Sequence, residues 1–222
     1  MAAVVKTPES FTPQQGASIW MQYITAFGAL VNIAQLKKGQ RVLITAASSS
    51  VGVAAIQIAK SLGAIVIATS RAKNKKQFLI DQGADHVILT DTQDLVLAMN
   101  DITEGEGAEL IFDPIGGPML SQLAEVASKG GRIIEYGALD TEPTPFPLFT
   151  ALAKGLVIQG YTIFEITKDE VKLEKVKEML LILFNTKKIT PIIDREFSFE
   201  EIQQAHEYME SNQQMGKIVI NV

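Results

Sequence analysis

The chain has 222 residues, 47% of them hydrophobic and 20% charged, with a formal net charge of −5 and no cysteine. Such a composition describes an ordinary globular protein with one core and room for a small appendage; it excludes disulfides and thiolate chemistry, and its sign argues against nucleic acid as a partner. No apolar run approaches the roughly 20 residues that cross a bilayer, and Met1–Lys6 lacks the features of a signal peptide, so a cytoplasmic protein without membrane association is expected.

In chain order, residues 13–31 predict a helix, which enters a first strand at Val42–Thr45 through the turn Lys37-Lys38-Gly39-Gln40. A helix over 51–62 follows, then a strand over 64–69 and a helix over 74–82. Strands at 86–89 and 109–112 enclose a helix near 93–100; a helix over 118–128 leads to strands at 131–136 and 156–161. Apolar strands without polar alternation imply a sheet covered on both faces, and strands separated by helices imply right-handed parallel crossovers. The expected fold class is therefore α/β, a doubly wound Rossmann parallel sheet. Between strands five and six, Asp140–Pro147 holds Pro143, Pro145 and Pro147 and should be extended. Beyond the sheet, helices over 171–184 and 199–209, with short strands at 191–193 and 217–220, form an α+β remainder.

The segment Arg41–Lys60 is the sharpest signal: a strand enters a tight turn of small residues, Ala46-Ala-Ser-Ser-Ser-Val-Gly52, and leaves as a helix. Small side chains let a diphosphate approach the backbone, and the amides of the helix N-terminus meet its charge. Ala46 and Ser49 stand where the usual fingerprint has glycines, and only Gly52 remains; on spacing alone a plain strand–helix turn explains the segment as well. The second strand ends without the carboxylate that would grip an adenosine ribose. Ser70, Arg71 and Lys75 instead offer a hydroxyl and two cations where a 2′-phosphate would lie, which points to NADPH rather than NADH.

Together with that turn, Gln57–Ala64, Phe112-Asp-Pro-Ile-Gly-Gly117 and the terminal Gly216–Val222 resemble, in order, the motifs of the medium-chain dehydrogenase/reductase superfamily. Within it the chain is most similar to the zinc-independent quinone oxidoreductase and enoyl reductase branch, from about Phe11 to Val222. The resemblance implies that Ala46 and Ser48, Ser49, Ser50, Val51 and Gly52 hold the diphosphate, and that Lys75 meets the 2′-phosphate with Ser70 and Arg71. Thr90 would border the adenine and Pro114 the ribose. Gly137, Ala138 and Leu139 would run beside the nicotinamide, Tyr161, Thr162 and Ile163 would approach its carboxamide, and Gln214 would reach back toward the phosphates. Thr90 reads equally as a loop residue, Gln214 as a solvated one, and Asp113 as a turn or cap residue rather than an acid.

Full-length relatives begin with a separate barrel-like catalytic domain, and the similarity here starts at the inter-domain helix. The implied division is 1–38 inter-domain helix, 39–187 NADPH-binding domain and 188–222 a segment that packs on the catalytic domain. The position of one catalytic zinc ligand falls on Met21, a poor donor, and His86 and His206 lack ligand spacing, so no metal is expected. The implied reaction is hydride transfer without zinc from NADPH to a quinone or α,β-unsaturated carbonyl, with no catalytic acid identified and a homodimer through the edge of the sixth strand. An NADPH-binding module without turnover, and an interaction protein that has lost the nucleotide, remain alternatives.

Overall fold

The computed structural model describes residues 7–222; Met1–Lys6, on which the leader reading rests, lie outside it. The apolar runs become strands β1 (Arg41–Ile44), β2 (Ile65–Ser70), β3 (His86–Leu89), β4 (Ala108–Asp113), β5 (Ala127–Glu135) and β6 (Val157–Gly160). They form one parallel sheet in the order β3-β2-β1-β4-β5-β6. The chain reverses direction between β1 and β4, which opens a crevice at their C-terminal ends, the place where sheets of this kind take a ligand.

Alternate strand residues feed two cores, which is why the strands read as continuous apolar runs. Val42, Ile44, Val66, Ala68, Leu110, Phe112 and Ile134 pack with α1 (Pro13–Phe27), α2 (Ser50–Ser61) and α8 (Glu170–Asn185). Leu43, Ile67, Ile111 and Ile133 pack with α4 (Leu95–Thr103) and α5 (Met119–Val126) on the other face. The helix expected over 74–82 starts as a 3-10 turn at Lys73–Lys75 and continues as α3 (Lys76–Asp81). The prolines of 140–147 keep that loop irregular, as expected.

Helix α1 is fixed at its start by a capping box: Thr12 Oγ1 accepts from the Gln15 amide and Gln15 Oε1 from the Thr12 amide. It does not run to residue 31 as one α-helix. At Gly28 it widens into a π-helix, Gly28–Ile33. A Cβ on Gly28 would lie 2.2 Å from the Tyr161 hydroxyl oxygen, so the helix widens where that side chain presses on it. Two short helices were not anticipated, α6 (Leu148–Lys154) and α7 (Phe164–Thr167). Helix α6 buries none of its residues, so no apolar periodicity marks it.

The C-terminal part folds as a second unit, with strands β7 (Ile193–Ser198) and β8 (Lys217–Asn221) parallel to each other and α9 (Ile202–Glu210) crossing between them. The first of these strands begins at Ile193 rather than Pro191 and includes the charged run Asp194-Arg195-Glu196, which obscured it. Those charges are placed: Tyr208 Oη donates to Asp194 Oδ2 at 2.7 Å, and the Arg195 guanidinium lies 4.0 Å from the Tyr208 ring centroid. Gln57 ties this unit to the sheet. Its Oε1 accepts from Tyr23 Oη at 2.8 Å and the Thr190 amide at 3.0 Å, while its Nε2 donates to Thr190 O at 3.0 Å and Gln82 Oε1 at 2.9 Å.

Candidate functional site

Most of the residues singled out in the sequence follow the C-terminal ends of the parallel strands, and Gln214 comes from the segment before β8. The turn 45–49 closes with Ser49 N donating to Ala46 O at 3.0 Å, and Ala46 adopts a φ of 44°, a left-handed conformation that glycine takes without strain. Ser49 then caps α2, its Oγ accepting from Gly52 N at 3.1 Å. Gly52 must lack a side chain, since a Cβ there would stand 2.6 Å from Ala47 O. What remains open are the amides of Ser48 and Val51, which donate to no acceptor among the described residues, while that of Ser50 lies in the bridge to Gly216. These amides are the observation on which a phosphate site rests: N–H groups at the mouth of a helix, with the helix dipole behind them.

After β2, the Ser70 hydroxyl turns onto its own chain at Ala72. Arg71 is exposed and makes no hydrogen bond or ion pair among the described residues. Lys75, expected with Ser70 and Arg71 to meet a 2′-phosphate, makes its contacts within the chain. It is 6% exposed, and its ammonium donates to Ser48 Oγ at 3.0 Å, Asn212 O at 2.7 Å and Gln214 O at 3.0 Å. Burial first, and then the nearby Arg71 charge, hold its pKa below the usual lysine value. Gly216 N also donates to Ser48 O at 3.0 Å, and Gly216 forms a parallel bridge with Ser49, so residues 212–216 lie against the turn. The Gln214 side-chain oxygen is buried there without a partner rather than solvated.

Thr90 closes the end of β3 by donating its amide to Ser70 O at 2.9 Å. Pro114 follows β4 and is strapped to the loop after β5, where Leu139 N donates to Pro114 O and Asp140 N to Ile115 O. Gly137 passes so close that a Cβ would meet Pro114 O at 2.9 Å, while Ala138 and Leu139 are exposed above it. The side chain of Tyr161 turns into the core, where it is 2% exposed with its hydroxyl 3.5 Å from Ile24 O, so it props α1. Thr162, exposed, and Ile163, half-buried, lead into α7 at the rim.

The structure adds a group that the sequence reading missed. Asp113 is the turn residue expected: Oδ1 accepts from Thr45 Oγ1, and Oδ2 from the amides of Ile115 at 3.0 Å and Gly116 at 2.7 Å. Beside it in register stands Glu135, both of whose carboxyl oxygens are buried without a donor. Burial first, and then the Asp113 charge, push Glu135 up to about 8. Asp113 has its three donors, so Glu135 is the carboxyl that keeps its proton at neutral pH. A single acid at the end of a strand carries no sequence motif; only the register makes it a pair.

The sequence has no cysteine, Met21 is 67% exposed on α1, and no cluster of three or more His, Cys, Asp or Glu among the described residues could hold a metal. No helix among them is long and apolar enough to cross a membrane.

Residues 50–180 match the family described as zinc-binding dehydrogenase. A low-reducing polyketide synthase of Aspergillus calidoustus is 29% identical over 227 residues, covering 96% of this chain and 9% of that protein. The crystal structure of the CurK enoyl reductase superposes with a TM-score of 0.86 at 26% identity, covering 98% of this chain and 65% of that one. Escherichia coli quinone oxidoreductase complexed with NADPH shares the fold, with a TM-score of 0.90 at 24% identity over 96% of this chain and 67% of its own. The chain thus spans about a tenth of the polyketide synthase and about two-thirds of the solved chains.

Proposed function

Because the chain belongs to the zinc-binding dehydrogenase family, within the medium-chain dehydrogenase/reductase superfamily, we propose that it binds NADPH and serves a zinc-independent reduction of a quinone or an α,β-unsaturated carbonyl compound. The unpartnered amides of Ser48 and Val51 at the switch between β1 and β4 are the observation that supports this reading. They would hold the diphosphate, with Gly52 and Ala46 keeping side chains out of its way. Arg71, exposed at the end of a strand that carries no acid, would meet the 2′-phosphate beside Ser70. Thr90 would border the adenine and Pro114 the ribose. Gly137, Ala138 and Leu139 would flank the nicotinamide, with Thr162 and Ile163 near the carboxamide.

When bound, the nicotinamide supplies the hydride; the residues of this chain orient it and exclude water. Residues 39–187 form the nucleotide-binding unit in this reading, and 188–222 the segment that packs on the catalytic domain. The exposed Phe149, Leu152 and Val157 on α6 and β6 would meet a second copy along the open edge of the sheet.

The test is NADPH and NADH titration, following Trp20 or cofactor fluorescence, on the wild-type chain and on Arg71→Glu. Saturable binding of NADPH, weakened at least about tenfold by charge reversal while NADH changes little, is the expected result. Absence of saturable binding overturns the reading.

A further inference from the structure

We propose that Glu135 is a positioning residue for the nucleotide. While it keeps its proton, the turn after β1 and the loops after β4 and β5 stay fastened to one another; its ionisation loosens them and weakens binding. This assignment rests on the nucleotide reading above and adds to it a control by pH.

The geometry is a row of side chains across the sheet. In parallel register Asp113 stands opposite Glu135, and Glu135 opposite Gly160. On the other side, Thr45 Oγ1 donates to Asp113 Oδ1. Thr45, Asp113 and Glu135 follow Leu43, Ile111 and Ile133 by two residues, so the row continues the core of the α4 and α5 face to the C-terminal edge of the strands.

Each member of the row adjoins a segment that the nucleotide reading uses. Thr45 precedes the turn at 46–52, Asp113 precedes Pro114, and Glu135 lies two residues before Gly137. The Asp113 carboxylate also fixes the loop after β4 by accepting from the amides of Ile115 and Gly116. That loop is fastened in turn to the one after β5, where Leu139 N donates to Pro114 O and Asp140 N to Ile115 O. Whatever disturbs the Asp113 carboxylate therefore reaches all three segments.

Both carboxyl oxygens of Glu135 are buried and receive no donor. A neutral carboxyl can stay there, whereas a carboxylate without donors beside a second one cannot be accommodated cheaply. Asp113 is the charged group that acts on Glu135, and no cation among the described residues offsets it. Gly160 on β6 offers no side chain, and Arg132 of β5 gives its donors to Ile33 O and Gln159 Oε1. On the opposite face Tyr136 stacks on Phe112, and burial holds its hydroxyl well above the usual tyrosine value. Asp140 lies against Gly117, and Glu165 acts on Tyr161. A charge on Glu135 is thus answered by hydration of the row or by release of the donors on Asp113. Either change loosens the loops, and the new charge has the sign of the diphosphate. By reciprocity, a bound nucleotide must hold the proton on Glu135 more tightly.

The experiment titrates NADPH against the wild-type chain and Glu135→Gln between pH 7 and 9.5 by fluorescence. We expect the wild-type Kd to rise at least about fivefold more than that of the variant, with a midpoint near the Glu135 value of about 8. Arg71 and Lys75, whose charges also bear on a phosphate, are the same in both proteins, so the difference belongs to Glu135. Hydrogen-exchange protection of the Ile115 and Gly116 amides, corrected for the intrinsic rate, should fall over the same range in the wild type alone. A further measurement needs no variant and decides alone if Glu135→Gln does not fold. Adding NADPH to the wild type at pH 8 should increase the infrared carbonyl stretch of a protonated carboxyl, which titration of a lysine cannot produce. Equal pH dependence in the two proteins, or no gain in that band, would overturn the proposal and leave the nucleotide reading standing. Weaker binding with unchanged protection at 115 and 116 would overturn it too. A wild-type chain that binds neither NADPH nor NADH at pH 7 sinks both together.

Discussion

Glu135 and Asp113 stand side by side in the parallel register of β5 and β4, and only Asp113 is provided with donors. Glu135 is therefore protonated in the folded protein up to about pH 8, against an ordinary value of 4.5. A group that binds its proton more tightly when folded contributes its stability in full below its unfolded pKa, and that contribution is lost as pH rises through the folded value. Melting temperature should consequently fall between pH 5 and about pH 8 through this group and then level. Glu135→Gln, neutral at all pH and able to donate to Asp113, should flatten the fall and melt higher than wild type at pH 9. Parallel melting curves for the two proteins across that range would contradict a protonated Glu135.

Ala46 holds a left-handed φ of 44° at the entrance to the nucleotide turn. A side chain in that region costs roughly 1–2 kcal/mol, part of which glycine returns as unfolded-chain entropy. Ala46→Gly should raise stability by about 0.5–1 kcal/mol in a urea titration, with an unchanged denaturant slope.

Gly28 and Tyr161 are matched in shape, so the two sites should be coupled. Gly28→Ala would drive a methyl onto the tyrosine hydroxyl and should destabilise by about 1–3 kcal/mol. Tyr161→Phe gives up only a long contact to Ile24 O at 3.5 Å and should cost little. The double variant should then recover much of the loss, which a double-mutant cycle on melting data reads directly.

Gln57 has all its hydrogen-bonding capacity spent on Tyr23, Gln82 and Thr190. Gln57→Leu has the right size but would leave the Thr190 amide and the Tyr23 hydroxyl without this acceptor. We expect a loss of about 2–4 kcal/mol by chemical denaturation, and faster hydrogen exchange in 189–193 than in the strands of the main sheet.

The sheet was legible because its strands are buried on both faces: apolar runs such as Val42–Ile44 and Ile65–Ala68 announce themselves whatever they pack against. The turn at 46–52 was legible because strand, small residues and helix follow one another in the chain. Legibility failed where partners are distant in sequence. Nothing local to Lys75 reveals that its acceptors include the carbonyls of 212 and 214, so its charge reads as one free for a phosphate. Tyr161 stands at a strand end where a crevice residue belongs, and only the approach of Gly28 shows that it points inward. Glu135 looks like an ordinary polar strand terminus until Asp113 is placed beside it. Helix α6 escaped for a different reason, since a helix that buries nothing has no periodic signal to read.

The clasp of residues 212–216 on Ser48 and Ser49 also has a place in time. Contacts this far apart along the chain form only after the closure entropy of the intervening loop has been met, so they come late in folding. The main sheet can assemble while the bend that follows its first strand still lacks its outer wall. Refolding followed through the nucleotide should then trail refolding followed through backbone dichroism, and the lag between the two signals measures how long the C-terminal unit takes to dock.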